Sequence, residues 1–389
     1  MAKPTGKIAP LFLPLLGITL TAQITTQKFA FSAPLDEFLS VQQETRPFHG
    51  EVETGWDGMN KTVDMFDVRK NLSTSGGSSV GDYSGYHLRG GMAWEKHIWT
   101  DVSYGDHSVK TPYDNANNKF YQAAVQFKLL ENEGKIPALA LRLSKWGNSS
   151  GQAAKGSATP VFGTDISADS IVMKDPKDRQ FQGDIIGSWA VSKTTTLSLF
   201  TGIGTSKVTV GDFFATLGGC TYKVTRGLQP DEVNGGMDST IRGDAVNAGD
   251  PNCGVTTFSV PLSSYSLPEL PEGMYVSYDA KYYQVGGMIQ WQNDEWRLRL
   301  GYRLQKWDRG DLDGAIATLQ QVDKTSYDTN QNISAEASYK LHPNIAAYAR
   351  SQYMTNQFLG EVPYSYNLFS SHKFAKPYGY VSLGVAAGF

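Results

Sequence analysis

Arginines share one phase of the extended segment 296–307, and this spacing is the clearest chemical signal in the sequence. Arg297, Arg299 and Arg303 alternate with apolar residues that occupy the opposite phase. Successive side chains of a β-strand point to opposite faces, so the three arginines would form one positively charged face. Fixed positive charges of this kind can replace part of the hydration shell of an anion. The pattern therefore predicts a basic face directed towards an interior rather than towards lipid.

The same sorting by phase identifies charged residues in other segments. The residues predicted to line a pore or to bind solute are Arg297, Arg299, Arg303, Lys340, Arg350, Arg142, Arg89, Glu51 and Glu53. Glu51 and Glu53 belong to the first segment, away from the basic ones, which predicts an electric field across the interior and a surplus that favours anions. In the alternative interpretation, the arginines pair with the inward acids and fill a narrow barrel. Replacing Arg297, Arg299 and Arg303 by serine is expected to lower anion preference and to leave folding largely intact.

Twelve segments have the two-residue alternation of strands that cross a membrane. Their connections alternate strictly between short turns and long loops, and an even number puts both chain ends on one side of the membrane. We predict an all-β, transmembrane, antiparallel up-and-down β-barrel of about 12 strands, with short periplasmic turns and long extracellular loops. A hairpin formed by residues 222–224 and 255–260 would raise the number to fourteen. The predicted strands are 49–57, 86–94, 97–105, 119–130, 136–146, 180–191, 195–204, 281–291, 295–307, 328–339, 345–353 and 377–389.

The eight tryptophans support the same architecture. All of them lie near the ends of predicted strands. Indole combines an apolar body with a hydrogen-bonding N–H group, and it is enriched where a membrane protein meets the lipid–water interface. We therefore expect the tryptophans to form interfacial belts.

The last segment, 377–389, carries a resemblance to a known class of proteins. Val381, Leu383 and Val385 alternate with small or polar residues, and the chain ends on Phe389. This pattern resembles the final strand of Gram-negative outer-membrane β-barrels, in which a terminal Phe belongs to the recognised end of the chain. The resemblance implies a porin-like protein of the bacterial outer membrane that contacts the barrel-assembly machinery through residues 377–389.

The beginning of the sequence is consistent with export. Lys3 and Lys7 precede the apolar run 8–20, which is too short and too interrupted by proline to be a spanning helix. We interpret residues 1–32 as a signal peptide, cleaved after residue 22 or residue 32, and residues 33–48 as an N-terminal periplasmic segment. Residues 49–389 would form the barrel, including a large loop at 207–279.

Cys220 and Cys253 are the only cysteines in the chain. Their spacing matches neither a zinc site nor a haem attachment motif. In an exported protein, two cysteines most simply form one disulfide, which would stabilise the loop by about 3 to 4 kcal/mol. We expect this disulfide to tie an extension outside the membrane; the alternative is a loop that folds back into the lumen.

Composition and motifs exclude several functional classes. The formal net charge of −3 gives no argument for nucleic-acid binding. The sequence has no nucleotide-binding glycine motif, Walker sequence or haem motif, so no cofactor is predicted. The loop acids lack the full ligand series of a calcium site, so no metal is predicted either.

These observations together favour a porin that passes small hydrophilic solutes, with a preference for anions. The expected partners are those solutes, outer-membrane lipid, lipopolysaccharide and further copies of the chain. A surface receptor, adhesin or partner-binding barrel with a plugged lumen is the second hypothesis. A lipid hydrolase is the third, but no catalytic residue can be named, so the protein is predicted not to be an enzyme.

Overall fold

Twelve long antiparallel strands form a closed barrel, which confirms the predicted fold class. The computed structural model describes residues 38–41, 48–59, 82–110, 114–133, 136–155, 159–160, 167–230, 237–261, 277–318, 326–356, 361–367 and 377–389. The barrel strands are β1 (His49–Met59), β2 (Asp82–Ala93), β3 (Ile98–Lys110), β4 (Asp114–Leu130), β5 (Ala138–Ser149), β6 (Lys177–Ala190), β7 (Thr195–Thr209), β8 (Tyr278–Gln292), β9 (Trp296–Asp308), β10 (Thr329–His342), β11 (Ile345–Met354) and β12 (Tyr378–Gly388).

Pairing between the first and last strands closes the sheet. Each strand pairs with its neighbours in sequence, and β1 also pairs with β12, from Glu51 opposite Gly388 to Gly58 opposite Val381. The main chain of Gly50 exchanges two hydrogen bonds with that of Phe389, each 3.0 Å long. Closure leaves the barrel without a free edge, which is what a sheet needs in order to cross a bilayer.

The two faces of each strand differ in chemistry as the alternation predicted. On β9, the outward side chains Leu298 and Leu300 are 44% and 53% exposed, whereas the inward Arg297 and Arg299 are 1% and 4% exposed. Apolar side chains on the outside of a closed barrel are favourable in contact with lipid and unfavourable in contact with water. Among the described residues, no helix is long and apolar enough to span a bilayer.

The connections at one end of the barrel form a second layer of structure outside the membrane. The strands of this outer sheet are Gln152–Lys155, Ser170–Lys174, Phe213–Leu217, Cys220–Pro230, Met237–Ala245 and Thr257–Pro261. The sheet is continuous with the barrel because the first of these strands pairs with the start of β4. The disulfide between Cys220 and Cys253 is present, as predicted. Residues 222–224 and 255–260 belong largely to this outer sheet and do not enlarge the barrel.

The prediction for the tryptophans holds only in part. Trp56, Trp94, Trp291 and Trp296 are exposed on the outside of the protein. Trp99 and Trp307, in contrast, are buried on the inner face. Position near a strand end does not determine which face a residue takes, because that depends on its phase in the alternation.

Short segments close the two ends of the barrel. Helix α1 (Asp311–Thr318) follows β9, and a 3₁₀ turn, Pro363–Ser365, lies between β11 and β12. Residues 38–41 lie inside the barrel near the short turns, and Phe48 is the only other described residue of the predicted periplasmic segment 33–48. The predicted signal peptide, 1–32, lies outside the described residues.

A closed polar lumen as the candidate functional site

Glu336 on β10 is the centre of a charged cluster in the half of the lumen nearer the short turns. Its carboxylate lies 3.1 Å from Arg297 Nη2 and 2.6 Å from Arg299 Nη2. Arg350 reaches it from the opposite neighbour, β11, at 2.9 Å. Three of the predicted arginines therefore converge on one buried carboxylate, which we call the Glu336 cluster.

Arg350 connects this cluster to the first strand. Its Nη2 lies 3.3 Å from Glu53 Oε2, and both side chains are buried. In the sequence, the acids of β1 are far from the basic segments, but closure puts β1 beside β12, which in turn pairs with β11. The predicted separation of a basic wall from Glu51 and Glu53 is therefore incorrect: Glu53 contacts Arg350, and Glu51 interacts electrostatically with Arg297 and Arg299 of the basic strand β9.

A second cluster lies on β2, β3 and β5. Asp101 accepts two hydrogen bonds from Arg142, at 2.7 and 3.0 Å, in a fork-to-fork arrangement. Arg89 approaches the same carboxylate at 3.5 Å, and Trp99 Nε1 donates to it at 3.2 Å. Both predicted arginines are inward and buried, and both face an acid.

The sequence analysis did not identify a third cluster, around Asp57. One oxygen of Asp57 contacts His87 Nδ1 at 2.8 Å and His107 Nε2 at 2.6 Å, and Ser382 donates to the other oxygen. His87 Nε2 lies 2.7 Å from the Tyr348 hydroxyl. The phase of β1 could have revealed Asp57, because it lies an even number of residues after Glu51 and Glu53 and so shares their face.

Glycines on two strands make room for this third cluster. A Cβ atom at Gly55 on β1 or at Gly384 on β12 would overlap the hydroxyl of Tyr348. The side chain of Tyr348 can therefore cross from β11 to reach His87. The small residues of the alternating pattern in β12 thus have a packing role, besides marking its inner face.

The remaining predicted residues lie nearer the ends of the lumen. Glu51 is buried close to the C-terminal end of β12, and Lys340 is half-buried near the short turn after β10. Arg303 lies in the other half of β9, where its Nη2 contacts Glu361 Oε1 at 3.2 Å. Lys340 is therefore peripheral to the three clusters, whereas Glu51 interacts electrostatically with Arg297, Arg299 and Arg89.

A short segment, residues 38–41, occupies the lumen near the short turns, and we call it the periplasmic plug. The Val41 amide donates to Ser188 Oγ at 2.8 Å, and the Ser40 carbonyl accepts from Gln126 Nε2 at 3.2 Å. The Phe38 ring lies 4.6 Å from the Arg299 guanidinium, close enough for a cation–π contact. The apolar side chains of the plug pack against small and apolar side chains of the inner wall, which are Ala138, Ala140, Ile186, Phe200 and Met288.

Residues 361–367, which we call the outer lid, fill the opposite end of the lumen. Asn148 on β5 donates to the Glu361 carbonyl at 2.6 Å, and Tyr278 on β8 donates to the Pro363 carbonyl at 2.7 Å. Tyr364 is fully buried, and its burial raises the pKa of the phenol, so it remains a neutral donor. The lid thus contacts both sides of the barrel wall.

Apolar packing covers the lid. Leu312 and Ile316 of α1, Trp307 of β9 and Tyr366 of the lid form one buried cluster with Phe213 of the outer sheet. The guanidinium of Arg309 also lies 4.0 Å from the Tyr366 ring. The outer sheet and α1 therefore hold the lid in place at the outer mouth.

A chamber of about 130 Å³ remains between the plug and the lid. Its lining is polar and includes the Asp57 cluster, the lid residue Glu361 and the side chains of Gln122, Gln180 and Gln182. A space of this size can hold a few water molecules or a small solute. Its charged lining residues are Arg89, Arg142, Arg303, Arg350, Glu53, Asp57 and Glu361.

No family model and no curated protein matches this chain. Solved structures that resemble it are outer-membrane barrels. The translocator domain of the autotransporter NalP from Neisseria meningitidis aligns over 89% of each chain with a TM-score of 0.45 and 10% identity. The NanC porin aligns over 87% of this chain and 98% of its own, with a TM-score of 0.38 and 8% identity.

The KdgM porin aligns over 87% of this chain and 99% of its own, with a TM-score of 0.35 and 7% identity. Scores of this size carry no argument about function. The architecture itself gives the location: a closed barrel with an apolar outer belt is the form in which β-proteins span the Gram-negative outer membrane, and the chain is an outer-membrane β-barrel.

Proposed function

We propose that the protein is an outer-membrane channel for small hydrophilic solutes, and that the periplasmic plug and the outer lid close it in the conformation described. The observation that carries this proposal is the polar chamber in the lumen, which Glu361 and Val362 of the lid help to line. The lid lies at one end of the chamber, and the plug lies in the lumen nearer the short turns. Displacing the plug and the lid would open a path along the lumen. The hydrogen-bonded barrel wall would stay intact.

The charges around the chamber support a preference for anions in the open state. Four arginines and three carboxylates line the chamber, so their sum is +1 with neutral histidines. One of those carboxylates, Glu361, belongs to the lid and would leave with it. The remaining four arginines against Glu53 and Asp57 give +2, and a positive lining favours anions.

The test is single-channel recording of the refolded protein in planar bilayers, with the reversal potential measured in a gradient of KCl. We expect long closed periods interrupted by openings, with an anion-biased reversal potential during the openings. A steady, ungated conductance would contradict the role of plug and lid. A cation-biased open state would contradict the proposed selectivity.

A plugged barrel that serves as a receptor or binds a partner is the second candidate. The pairing of Arg297, Arg299 and Arg350 with Glu336 favours it, because paired charges fill a lumen without conducting. Complete silence of a correctly folded protein in the same recording would support this candidate. The Asp57 cluster does not support the lipid-hydrolase hypothesis, since Ser382 donates to the carboxylate and not to an imidazole that could activate it.

A further inference from the structure

A basic groove lies on the outside of the barrel, at the ends of β5 to β9 from which the long connections leave. Its volume is about 560 Å³, and its lining includes the cations Lys145, Arg179, Lys207 and Lys281. Asp279 and Asp308 also line it, so the charge of its lining is four minus two, or +2. We call this site the outer groove. It is separate from the chamber, and nothing in the proposed channel function requires it.

The strand register brings cations together in the outer groove. Arg179 on β6 lies directly opposite Lys207 on β7. Lys145 on β5 lies opposite Phe181, which is two residues from Arg179, and Lys281 on β8 lies opposite Thr205, two residues from Lys207. Like charges in directly opposed positions destabilise a sheet. An arrangement that costs stability is explained when a bound anion compensates it.

The acids of the outer groove compensate this cluster only in part, and a charge of +2 remains. Asp279 is opposite Lys207, and Asp308 is opposite Lys281 in the register. The ion pairs found within the described part of the chain nevertheless involve neither Lys145, Arg179, Lys207 nor Lys281. The basic side chains are thus available to a ligand.

The position of the groove relative to the membrane identifies the kind of ligand. Phe181 and Tyr283, on the same outward face, are 56% and 58% exposed, and Ile203 and Ile185 continue the apolar surface towards the short turns. The cations therefore lie at the boundary between hydrocarbon and headgroups. Since long connections of bacterial barrels face the outside of the cell, this is the boundary of the outer leaflet.

The cations are concentrated on one side of the barrel. At the corresponding outer ends of β10 to β12 and of β1 to β3, the outward residues include Gln331, Tyr353, Ser84 and Asp106. Among the side chains that the structure describes there, none of the outward ones is basic. A general attraction for anionic lipid would not require the cations to lie on one side of the barrel. A specific binding site would require this.

We propose that the outer groove binds the phosphorylated headgroup of a glycolipid of the outer leaflet. The guanidinium of Arg179 offers a planar fork that matches phosphate, and the three lysines add positive charge around it. The acyl chains would lie along the apolar surface below, beside Phe181 and Tyr283. A soluble anion would gain nothing from that surface, so the two features together favour a lipid.

The experiment measures binding of bisphosphorylated lipid A to the detergent-purified protein by native mass spectrometry. In the variant Lys145→Gln, Arg179→Gln, Lys207→Gln and Lys281→Gln, we expect the Kd to rise by about tenfold or more, because each cation near such a surface contributes to binding. Dephosphorylated lipid A should bind the wild-type protein at least about tenfold more weakly for the same reason. Retention of charge in Lys145→Arg, Lys207→Arg and Lys281→Arg should preserve the affinity.

The matched control removes four exposed cations elsewhere: Lys96→Gln, Lys193→Gln, Lys223→Gln and Arg242→Gln. Its affinity for lipid A should equal that of the wild type. Should the fourfold groove variant fail to fold, Arg179→Gln with Lys207→Gln removes the opposed like charges and is expected to fold. Equal binding by groove and control variants would overturn the proposal. Displacement of lipid A by equimolar inorganic phosphate would also overturn it, because the site would then be one for free phosphate.

Discussion

Glu336 determines the charge balance of the lumen nearer the short turns. Arg297, Arg299 and Arg350 all contact its carboxylate, and all four side chains are buried. Removing one partner of a buried ion pair leaves the others uncompensated, which is costly. This geometry therefore argues against the expectation from the sequence that serine can replace Arg297, Arg299 and Arg303 with little effect on folding.

Glu336→Gln is expected to destabilise the barrel by roughly 3 to 5 kcal/mol, because three guanidinium groups lose their shared carboxylate. The measurement is the free energy of unfolding in lipid vesicles, from urea titration. Asp294→Asn, which removes an acid from the exposed turn between β8 and β9, is the control and should change little. Equal stability of the two variants would show that the cluster does not hold the lumen together.

Arg303→Gln is expected to weaken anion preference in the open state. With the lid displaced, the charge of the chamber lining falls from +2 to +1, since one of four arginines is lost against Glu53 and Asp57. The reversal potential in a KCl gradient should shift towards the cation value. Lys306→Gln, an exposed outward residue of the same strand, provides the control and should leave the potential unchanged.

Alternation along single strands was sufficient to predict which charged residues face inward. The face of Arg297 or Arg350 follows from its phase, because a strand buried on one face cannot slip by one residue. The partners could not be predicted in this way. Arg350 and Glu53 are 297 positions apart in sequence, and their contact depends on the closure of β1 against β12.

At the scale of elements, the barrel strands were predictable, while the segments inside the barrel were not. Several strands run further out of the membrane than the alternation indicated: β7 ends at Thr209 and not at residue 204. The plug has only four described residues, and its position depends on partners such as Ser188 and Arg299. Such a segment has no periodicity of its own from which a position could be inferred.

The outer sheet should depend on its disulfide more than the barrel does. Cys220→Ser with Cys253→Ser is expected to destabilise that sheet by roughly 3 to 4 kcal/mol, since a link across 33 positions is lost. Limited proteolysis should cut within 207–277, while the barrel keeps its heat-modifiable mobility on gels. Thr216→Ala with Thr221→Ala, which removes one exposed hydroxyl contact, is the control. Unchanged protease resistance in the double Ser variant would contradict this role.

At the scale of the whole molecule, the first and last strands meet where the barrel closes. The Phe389 ring is 54% exposed on the outside, while its main chain pairs with Gly50. The sequence predicted this closed architecture because every level of the pattern agreed: alternation, turn lengths and an even number of strands. It gave no comparable signal for whether the lumen is open.

Phe389→Ala is expected to reduce assembly in cells several-fold while changing the stability of the folded barrel little. We propose that the assembly machinery contacts residues 377–389, whereas the folded barrel needs mainly the backbone pairing there. Leu300→Ala on β9, with a similar exposure of 53% but outside residues 377–389, is the matched control. Outer-membrane yield and refolding into lipid vesicles without the machinery are measured for both. Equal yields of the two variants in cells would contradict a special role for the terminal ring.

In the proposed channel, the periplasmic plug and the outer lid close the lumen. The most direct test is single-channel conductance of a variant in which both are loosened, by Phe38→Gly and Leu39→Gly in the plug and Val362→Gly and Tyr364→Gly in the lid. A control variant carries Val246→Gly and Val255→Gly at exposed sites. We predict a clear rise in open probability for the first variant and wild-type behaviour for the control. A folded but silent first variant would contradict the account and identify the lumen as permanently filled.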